Sequence, residues 1–357
     1  MKPHSNLSSL TLLMPTFNRS KYVKRAINFW ANTNVNLTVI DGSEYPLESA
    51  FTKNMPTNVN YIHNHDSWID RMLLGSNLSK TPFTMLISDD EFYLPDALNL
   101  LIDELNKNCE INSVTGLTVA FYPFANSIYF RRIYQTFKEA SVSLDNPQKR
   151  VEFHMSPYAM TSLWAMNRTH IFKKNIQVAK ICTSLPDPAS FELGFEISNS
   201  YQGKSKVLPV VSWLRSMENS PNWNTKLIRT HIWWKDRFKS KDLISASKTV
   251  ELLLKSKKDF KENIEEQILY VGLKRYTSNF DLNKKSIVNN HFIKKLFKKI
   301  LPYRQYFFFI WFIILVFKNS NLTTWLTKKT LLDQLKFEKI SISTNDLNYI
   351  NKFIRSQ

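Results

Sequence analysis

Between residues 10 and 105 short apolar runs alternate with helical patterns, and that alternation leaves few folds open. Leu10–Met14 is an apolar run stopped by Pro15, and Ser20 then precedes Tyr22, Val23, Ala26, Ile27 and Trp30 at helical spacing, with Ser20 as the predicted cap. A second run, Leu37–Ile40, ends at the turn-forming Asp41-Gly42-Ser43. Val59–Ile62 and Phe83–Ile87 are predicted strands, Ile69–Leu78 a helix, and Pro95–Leu105 a helix opened by proline in its first turn. Strands joined through helices pair in parallel, so the expected class is α/β, a mainly parallel sheet flanked by helices. Ligands of such sheets bind beyond the carboxyl ends of the strands, where Thr16–Arg19, Asp41–Ser43 and Ser88–Glu91 all fall.

Past residue 110 the pattern loosens. Val114–Phe124, Tyr158–Met166 and Lys206–Leu214 are expected strands, 125–155 an irregular insertion, and Pro186–Gln202 a helix, as is the stretch that Thr169 would cap. Residues 1–230 hold 23 Lys/Arg against 19 Asp/Glu, whereas 231–357 hold 25 against 11. We therefore expect an α/β domain over 1–230 and a helical, basic C-terminal region over 231–357.

A basic lobe suits nucleic acid or an anionic membrane surface, but no zinc-finger spacing and no RNA-binding aromatic signature is present, so the lipid surface is preferred. Phe292–Leu301 sets apolar residues on one helical face and four lysines on the other, an interfacial pattern. Tyr306–Phe317 is an apolar run of twelve, short of the ~20 residues that a membrane span needs. The alternative for that run is a buried helix. Cys109 and Cys182 lie far apart and form no metal-ligand pair or disulfide framework, and the N-terminal apolar stretch is too short for a signal peptide. The expected location is the cytoplasm, at the inner face of a membrane.

The chemistry concentrates in Ser88-Asp89-Asp90-Glu91-Phe92, three consecutive acids at a strand end. Adjacent carboxylates repel unless a cation or donor groups neutralise them, and hard oxygen ligands suit Mg²⁺ or Mn²⁺. The plain alternative is a solvated acidic turn. Asp41 has two readings, an acceptor for a ligand N–H or an Asx-turn before Gly42. His63 and His65 lack a third ligand and make a poor metal site.

Taken together, Leu12-Met14-Pro15-Thr16-Phe17-Asn18-Arg19, Ile40-Asp41-Gly42-Ser43 and Ile87-Ser88-Asp89-Asp90-Glu91-Phe92 with Leu94–Leu98 resemble family 2 glycosyltransferases over roughly 9–220. In particular they resemble a bacterial subgroup with an alanine, three aspartates and a phenylalanine in its acidic motif. The resemblance implies the glycosyltransferase A fold, a nucleotide-sugar donor, expected to be UDP-linked, and a divalent metal. It places Pro15 and Thr16, with Asn18 and Arg19 in the same loop, along the nucleotide. Asp41 would meet the base, Asp89 the ribose or sugar, and Asp90 the metal, with Asp89 and Glu91 assisting.

Ser88 stands where the pattern has aspartate, and Glu91 where it has a third one. Arg71 matches a basic position and would meet the acids or the diphosphate, the alternative being a salt bridge to Asp66 or Asp70. Arg215 lies in a stretch similar to the family's closing loop and would clamp the diphosphate, or else pair with Glu218. The base of an inverting transfer is expected at Asp187 or Glu192, with Glu196 as a weaker candidate. The implied acceptor is a cell-envelope saccharide or lipid-linked saccharide. Two other readings are a nucleotidyltransferase, disfavoured because the Pro15–Arg19 loop lacks glycine, and a non-catalytic membrane-bound sugar-binding or scaffold protein.

Overall fold

Strand β1 (Leu10–Thr16) shows why the apolar runs become central strands: Leu10, Leu12 and Met14 enter one core while Leu13 enters another on the opposite face. Both faces are therefore buried, as in sheets flanked by helices on each side. The computed structural model describes residues 7–124, 127–156, 158–159, 161–185, 189–219, 240–255, 263–287 and 326–355. The expected domain boundary near 231, the amphipathic stretch 292–301 and the apolar run 306–317 lie outside these.

The strands are β1, β2 (Asn36–Asp41), β3 (Val59–His63), β4 (Phe83–Leu86), β5 (Phe92–Tyr93), β6 (Ile111–Phe124), β7 (Ser127–Arg132), β8 (Met166–Arg168) and β9 (Lys204–Ser216). Among the described residues they form one sheet in the order β3-β2-β1-β4-β8-β6-β9-β5, with β7 paired to β6. The β1–β2, β2–β3, β1–β4 and β6–β9 pairs are parallel, while β8, β5 and β7 run against their neighbours. The mainly parallel α/β architecture expected from the sequence is the one observed.

Helices α1 (Ser20–Trp30) and α4 (Pro95–Lys107) bury their apolar stripes in the core over one face. Helices α3 (Trp68–Leu78), α6 (Thr169–Cys182) and α7 (Ser190–Gln202) cover the other, and the short α2 (Ser49–Thr52) lies between β2 and β3. A third apolar cluster joins α5 (Pro147–His154), α6 and α7 to α8 (Lys241–Leu254) and α9 (Ile268–Ile287). No helix among the described residues is long and apolar enough to cross a membrane.

Three expectations differ from the structure. Residues 125–155 are not irregular throughout: β7 makes a hairpin with β6, and α5 opens with Pro147 and an Asn146 cap that accepts from Lys149 N–H. Ser20 and Thr169 are the first residues of their helices rather than caps; the Thr169 hydroxyl instead donates to Thr81 O at 2.7 Å. The strand expected over Tyr158–Met166 shrinks to β8 because the buried Glu196 carboxylate accepts the Ser162 and Leu163 N–H groups, which are thereby withdrawn from a ladder.

The chain returns to the sheet at its C-terminal end. Helices α10 (Lys328–Phe337) and α11 (Thr344–Arg355) bury Leu331, Leu335, Leu347 and Ile350 in the core that β1 and α1 share. Phe353 meets Phe29 at 5.5 Å and Phe92 at 6.1 Å between ring centroids. Asp346 accepts the Asp96 N–H at 2.8 Å and so caps α4, while Ser343 donates to the Asp96 carboxylate at 2.7 Å and ties the two helix starts together. Leu347→Ala is expected to lower stability by about 2–5 kcal/mol in urea unfolding. The exposed Lys352→Ala should change it by less than ~0.5 kcal/mol.

Candidate functional site

The carboxyl ends of β1, β2 and β4 meet at one edge of the sheet, and the residues singled out there from sequence converge. β1 ends at Thr16, whose hydroxyl donates to Asp89 Oδ2 at 2.6 Å. Asn18 follows with φ 54°, the left-handed region that asparagine tolerates, and ties its loop to the next one. Its N–H donates to the Ser43 hydroxyl at 2.7 Å, and its side-chain oxygen accepts the Glu44 N–H at 3.3 Å. The turn delivers Arg19 between the two aspartates: Nη1 lies 3.0 Å from Asp89 Oδ1 and Nη2 2.5 Å from Asp90 Oδ2.

Asp89 and Asp90 are both buried but differ in support. Burial pushes the Asp89 carboxyl up to about 6, against the pull of the Thr16 hydroxyl and Arg19. Burial also opposes ionisation of Asp90, yet hydrogen bonds from Asn219 and Arg19 hold it below the ordinary carboxylate range. Asp90 Oδ2 accepts from Asn219 Nδ2 at 2.8 Å, and Oδ1 from the Ser88 hydroxyl at 2.8 Å. Ser88, standing where the family pattern has an acid, thus supports Asp90 here. Asp89 Oδ1 is a buried acceptor whose contact with Arg19 is an ion pair without hydrogen-bond geometry.

These oxygens fit Mg²⁺ or Mn²⁺: Asp89 and Asp90 are adjacent hard donors, one with a buried oxygen lacking a hydrogen bond. Among the described residues no three acidic, histidine or cysteine side chains form a ready cage, so the pair suits a cation that takes its remaining ligands from a bound diphosphate and water. Glu91 faces other partners. Its Oε2 accepts from Trp213 Nε1 at 2.7 Å and its Oε1 lies 3.7 Å from Arg215 Nε. Burial and then the Asp90 charge push Glu91 up to about 8, although Arg215 and Trp213 pull the other way.

Asp41, at the end of β2, is almost wholly buried. Oδ1 accepts the Ser43 N–H at 2.9 Å as well as the Ser43 hydroxyl, and Oδ2 accepts from Tyr61 at 2.7 Å. Of the two sequence readings, the contact with the Ser43 N–H two residues on is the Asx-turn. Arg71 turns its buried guanidinium to backbone carbonyls, Thr16 O, Ile40 O at 3.3 Å and Asp66 O at 3.2 Å. It binds the ends of β1 and β2 together beneath Gly42, where a Cβ would lie 2.4 Å from Arg71 Cζ. Its hydrogen bonds go to the backbone rather than to the acids, and Lys180 takes the salt bridge to Asp70 at 2.7 Å.

Asp187 lies outside the described residues. Glu192, in the first turn of α7, accepts a hydrogen bond from the Tyr158 hydroxyl. Burial, then the nearby Glu196 charge, pushes it up to about 7 against that bond. Glu196 is fully buried and occupied, with His154 Nε2 at 2.7 Å and the Ser162 and Leu163 N–H groups on its oxygens. Arg215 lies over the Tyr134 ring at 5.3 Å and beside Glu91, while Glu218 is taken by a different arginine.

That arginine, Arg25, was not among the sequence candidates. It reaches Glu218 with both Nη atoms, at 3.1 and 2.8 Å, and donates to the Asp90 carbonyl at 3.0 Å. Its signal was legible: a charge placed among Val23, Ala26, Ile27 and Phe29 on the buried side of α1. Asn219 and Tyr22, which donates to the Asn219 side-chain oxygen at 3.0 Å, had no such signal.

Residues 11–171 match the sequence pattern of Glycosyl transferase family 2. Over that stretch, under half of the chain, the sequence is similar to family 2 glycosyltransferases. Its sheet, with the acids beyond the end of β4, is the glycosyltransferase A arrangement that the motifs implied. Compared with curated proteins, the chain matches none. Among solved structures, the crystal structure of S. aureus TarS 1-349 is similar at 12% identity, covering 79% of this chain and 76% of that one with a TM-score of 0.49. The same TarS fragment in complex with UDP-GlcNAc covers 79% and 77% at 12% identity and TM-score 0.49. In complex with UDP it covers 77% and 91% at 12% identity and TM-score 0.46. The family assignment rests on the sequence match.

The state of Glu192 has a measurable effect on stability. Its carboxyl is raised in the folded state, so between about pH 4.5 and 7 the folded chain holds a proton that the unfolded chain has lost, and stability falls as pH rises through that window. Glu192→Gln removes this slope. Its melting temperature relative to the unsubstituted chain should therefore gain more at pH 8 than at pH 4.5, read by differential scanning calorimetry.

Proposed function

We propose that the chain transfers a sugar from a nucleotide-sugar, UDP-linked, to a cell-envelope saccharide or lipid-linked saccharide, with inversion. The observation that carries this reading is the buried Asp89–Asp90 pair at the crevice where β1, β2 and β4 end, within a family 2 domain. Asp89 and Asp90 would hold Mg²⁺ or Mn²⁺, which supplies positive charge to the leaving diphosphate. Pro15, Thr16, Asn18 and Asp41 line the nucleotide end of the crevice. Arg71 keeps the two strand ends together there.

In the transfer the acceptor hydroxyl oxygen forms a bond to the anomeric carbon as the bond from that carbon to the diphosphate oxygen breaks. The nucleoside diphosphate leaves with the electron pair, and the hydroxyl proton passes to a carboxylate. Asp187 and Glu192 are the two candidates for that base. The environment of Glu192, a buried carboxyl raised to about 7 with a tyrosine donor on it, supports a base that works near neutral pH. Arg19, with a quarter of its side chain exposed and its charge on the two aspartates, can turn to the diphosphate once a cation takes its place.

We also infer peripheral attachment to the inner face of a membrane. The excess of lysine and arginine over 231–357 supports it, as does the interfacial pattern of 292–301. Isothermal titration of UDP and GDP, with and without Mn²⁺, tests the transferase reading. UDP is expected to bind in a metal-dependent way, at least about tenfold more weakly in Asp90→Ala, whose far-UV circular dichroism should be unchanged. Binding of neither nucleotide under any metal condition would overturn it and favour the non-catalytic scaffold.

A further inference from the structure

Past the acids, on the side of the crevice away from Asp41, an aromatic stack reaches from the core to the surface. Tyr93 and Trp213 lie parallel at 5.9 Å and are both buried; Tyr134 and Trp164, each half-buried, stack on Trp213 at 6.0 and 5.8 Å. The strand order explains the location. β8 begins at Met166 opposite Met85 of β4, so Trp164 stands where β4 gives way to the acidic turn. Trp213 belongs to β9 and is tied to that turn through Glu91. Arg215 follows on the same strand with its guanidinium over Tyr134 and Trp213, at 5.3 and 5.9 Å from the ring centroids.

Two features indicate that this stack is held for a purpose beyond filling space. Tyr134 has φ 51° and ψ 45°, a left-handed conformation rare for a bulky side chain and typical of residues fixed for a ligand. The loop carrying Trp164 is fastened by Glu196, whose carboxylate takes the Ser162 and Leu163 N–H groups. Glu196 lies one turn along α7 from Glu192, so a single helix sets both the indole and the candidate base.

We propose that Trp164 and Tyr134, with Glu91 and Arg215 at their edge, form the subsite for a pyranose ring of the acceptor. The proposal rests on the transferase reading above and gives it an acceptor class. Aromatic faces are electron-rich and attract the weakly positive C–H face of a sugar ring, while a carboxyl and a guanidinium side by side bind its hydroxyls from the rim. The sheet order then fixes the sequence along the crevice: nucleotide at β2, acids after β4, acceptor ring at β8 and β9. Nucleobase stacking belongs to the opposite end.

The test applies the full-length chain, in the presence of UDP and Mn²⁺, to an array of neutral, carboxylate-bearing and phosphate-bearing oligosaccharides, beside Trp164→Leu and Tyr134→Ser. UDP binding is measured for each. The unsubstituted chain is expected to retain pyranose-containing saccharides, and each variant to lose that retention about tenfold while its affinity for UDP stays the same. A chain that binds UDP but retains no saccharide overturns the subsite, and so does equal retention by both variants. Failure of the unsubstituted chain to bind UDP would instead overturn the transferase reading. Loss of UDP binding in both variants would overturn the subsite in favour of a purely structural stack.

Discussion

Two ionised carboxylates on consecutive residues, both shut away from water, repel each other and have lost their hydration, so their surroundings must supply the missing charge and hydrogen bonds. At Asp89 and Asp90 that need is met from three directions. Thr16 and Arg19 come from the first loop, Arg25 reaches the Asp90 carbonyl from α1, and Asn219 reaches its carboxylate from beyond β9. Much of the molecule follows from this requirement. The left-handed Asn18 aims Arg19, Arg71 fastens the strand ends beside it, and the Arg25–Glu218 pair draws the end of β9 across the sheet. A cation joining the pair would enter a place already shaped for positive charge.

Glu91 shows how a single extra methylene and a one-residue step change a role. It follows Asp90 directly, yet its carboxyl reaches Trp213 and Arg215 and not Arg19 or Arg25. The acidic turn thereby faces two ways, with the aspartates toward the loop after β1 and the glutamate toward the aromatic stack. Glu196 plays the comparable part on α7: a buried carboxylate that consumes backbone N–H groups and so decides where the Trp164 loop lies.

Where the determinants are local, the sequence was readable. Leu10–Met14, Leu37–Ile40 and Phe83–Ile87 announced strands by apolar runs, and the acids at their ends announced the crevice. Asp89, Asp90, Thr16, Arg19 and Asp41 could be chosen because each lies within a short motif after a strand. β5 is only two residues long, and its pairing with β9 depends on where the acidic turn leaves the chain, so no periodicity marks it. The strand expected over Tyr158–Met166 failed because a side chain far along the chain competes for its amides. For Arg71 the sequence gives only a basic position, and packing shows that its fork is filled by carbonyls. Asn219 and Trp164 became visible only once distant segments were side by side.

The hydrogen bonds that tie α4 to α11, and the meeting of Phe29 and Phe92 with Phe353, have a consequence for how the molecule is made. While a ribosome is still adding residues before 326, β1, α1 and α4 already exist but one apolar face of their core has no cover. Contacts between segments so far apart in the chain form late and slowly. The turn that carries the acids is backed by Phe92, so part of its support arrives only with α11. A chain extended only that far leaves this apolar face, and the acidic turn beside it, open to non-native contacts.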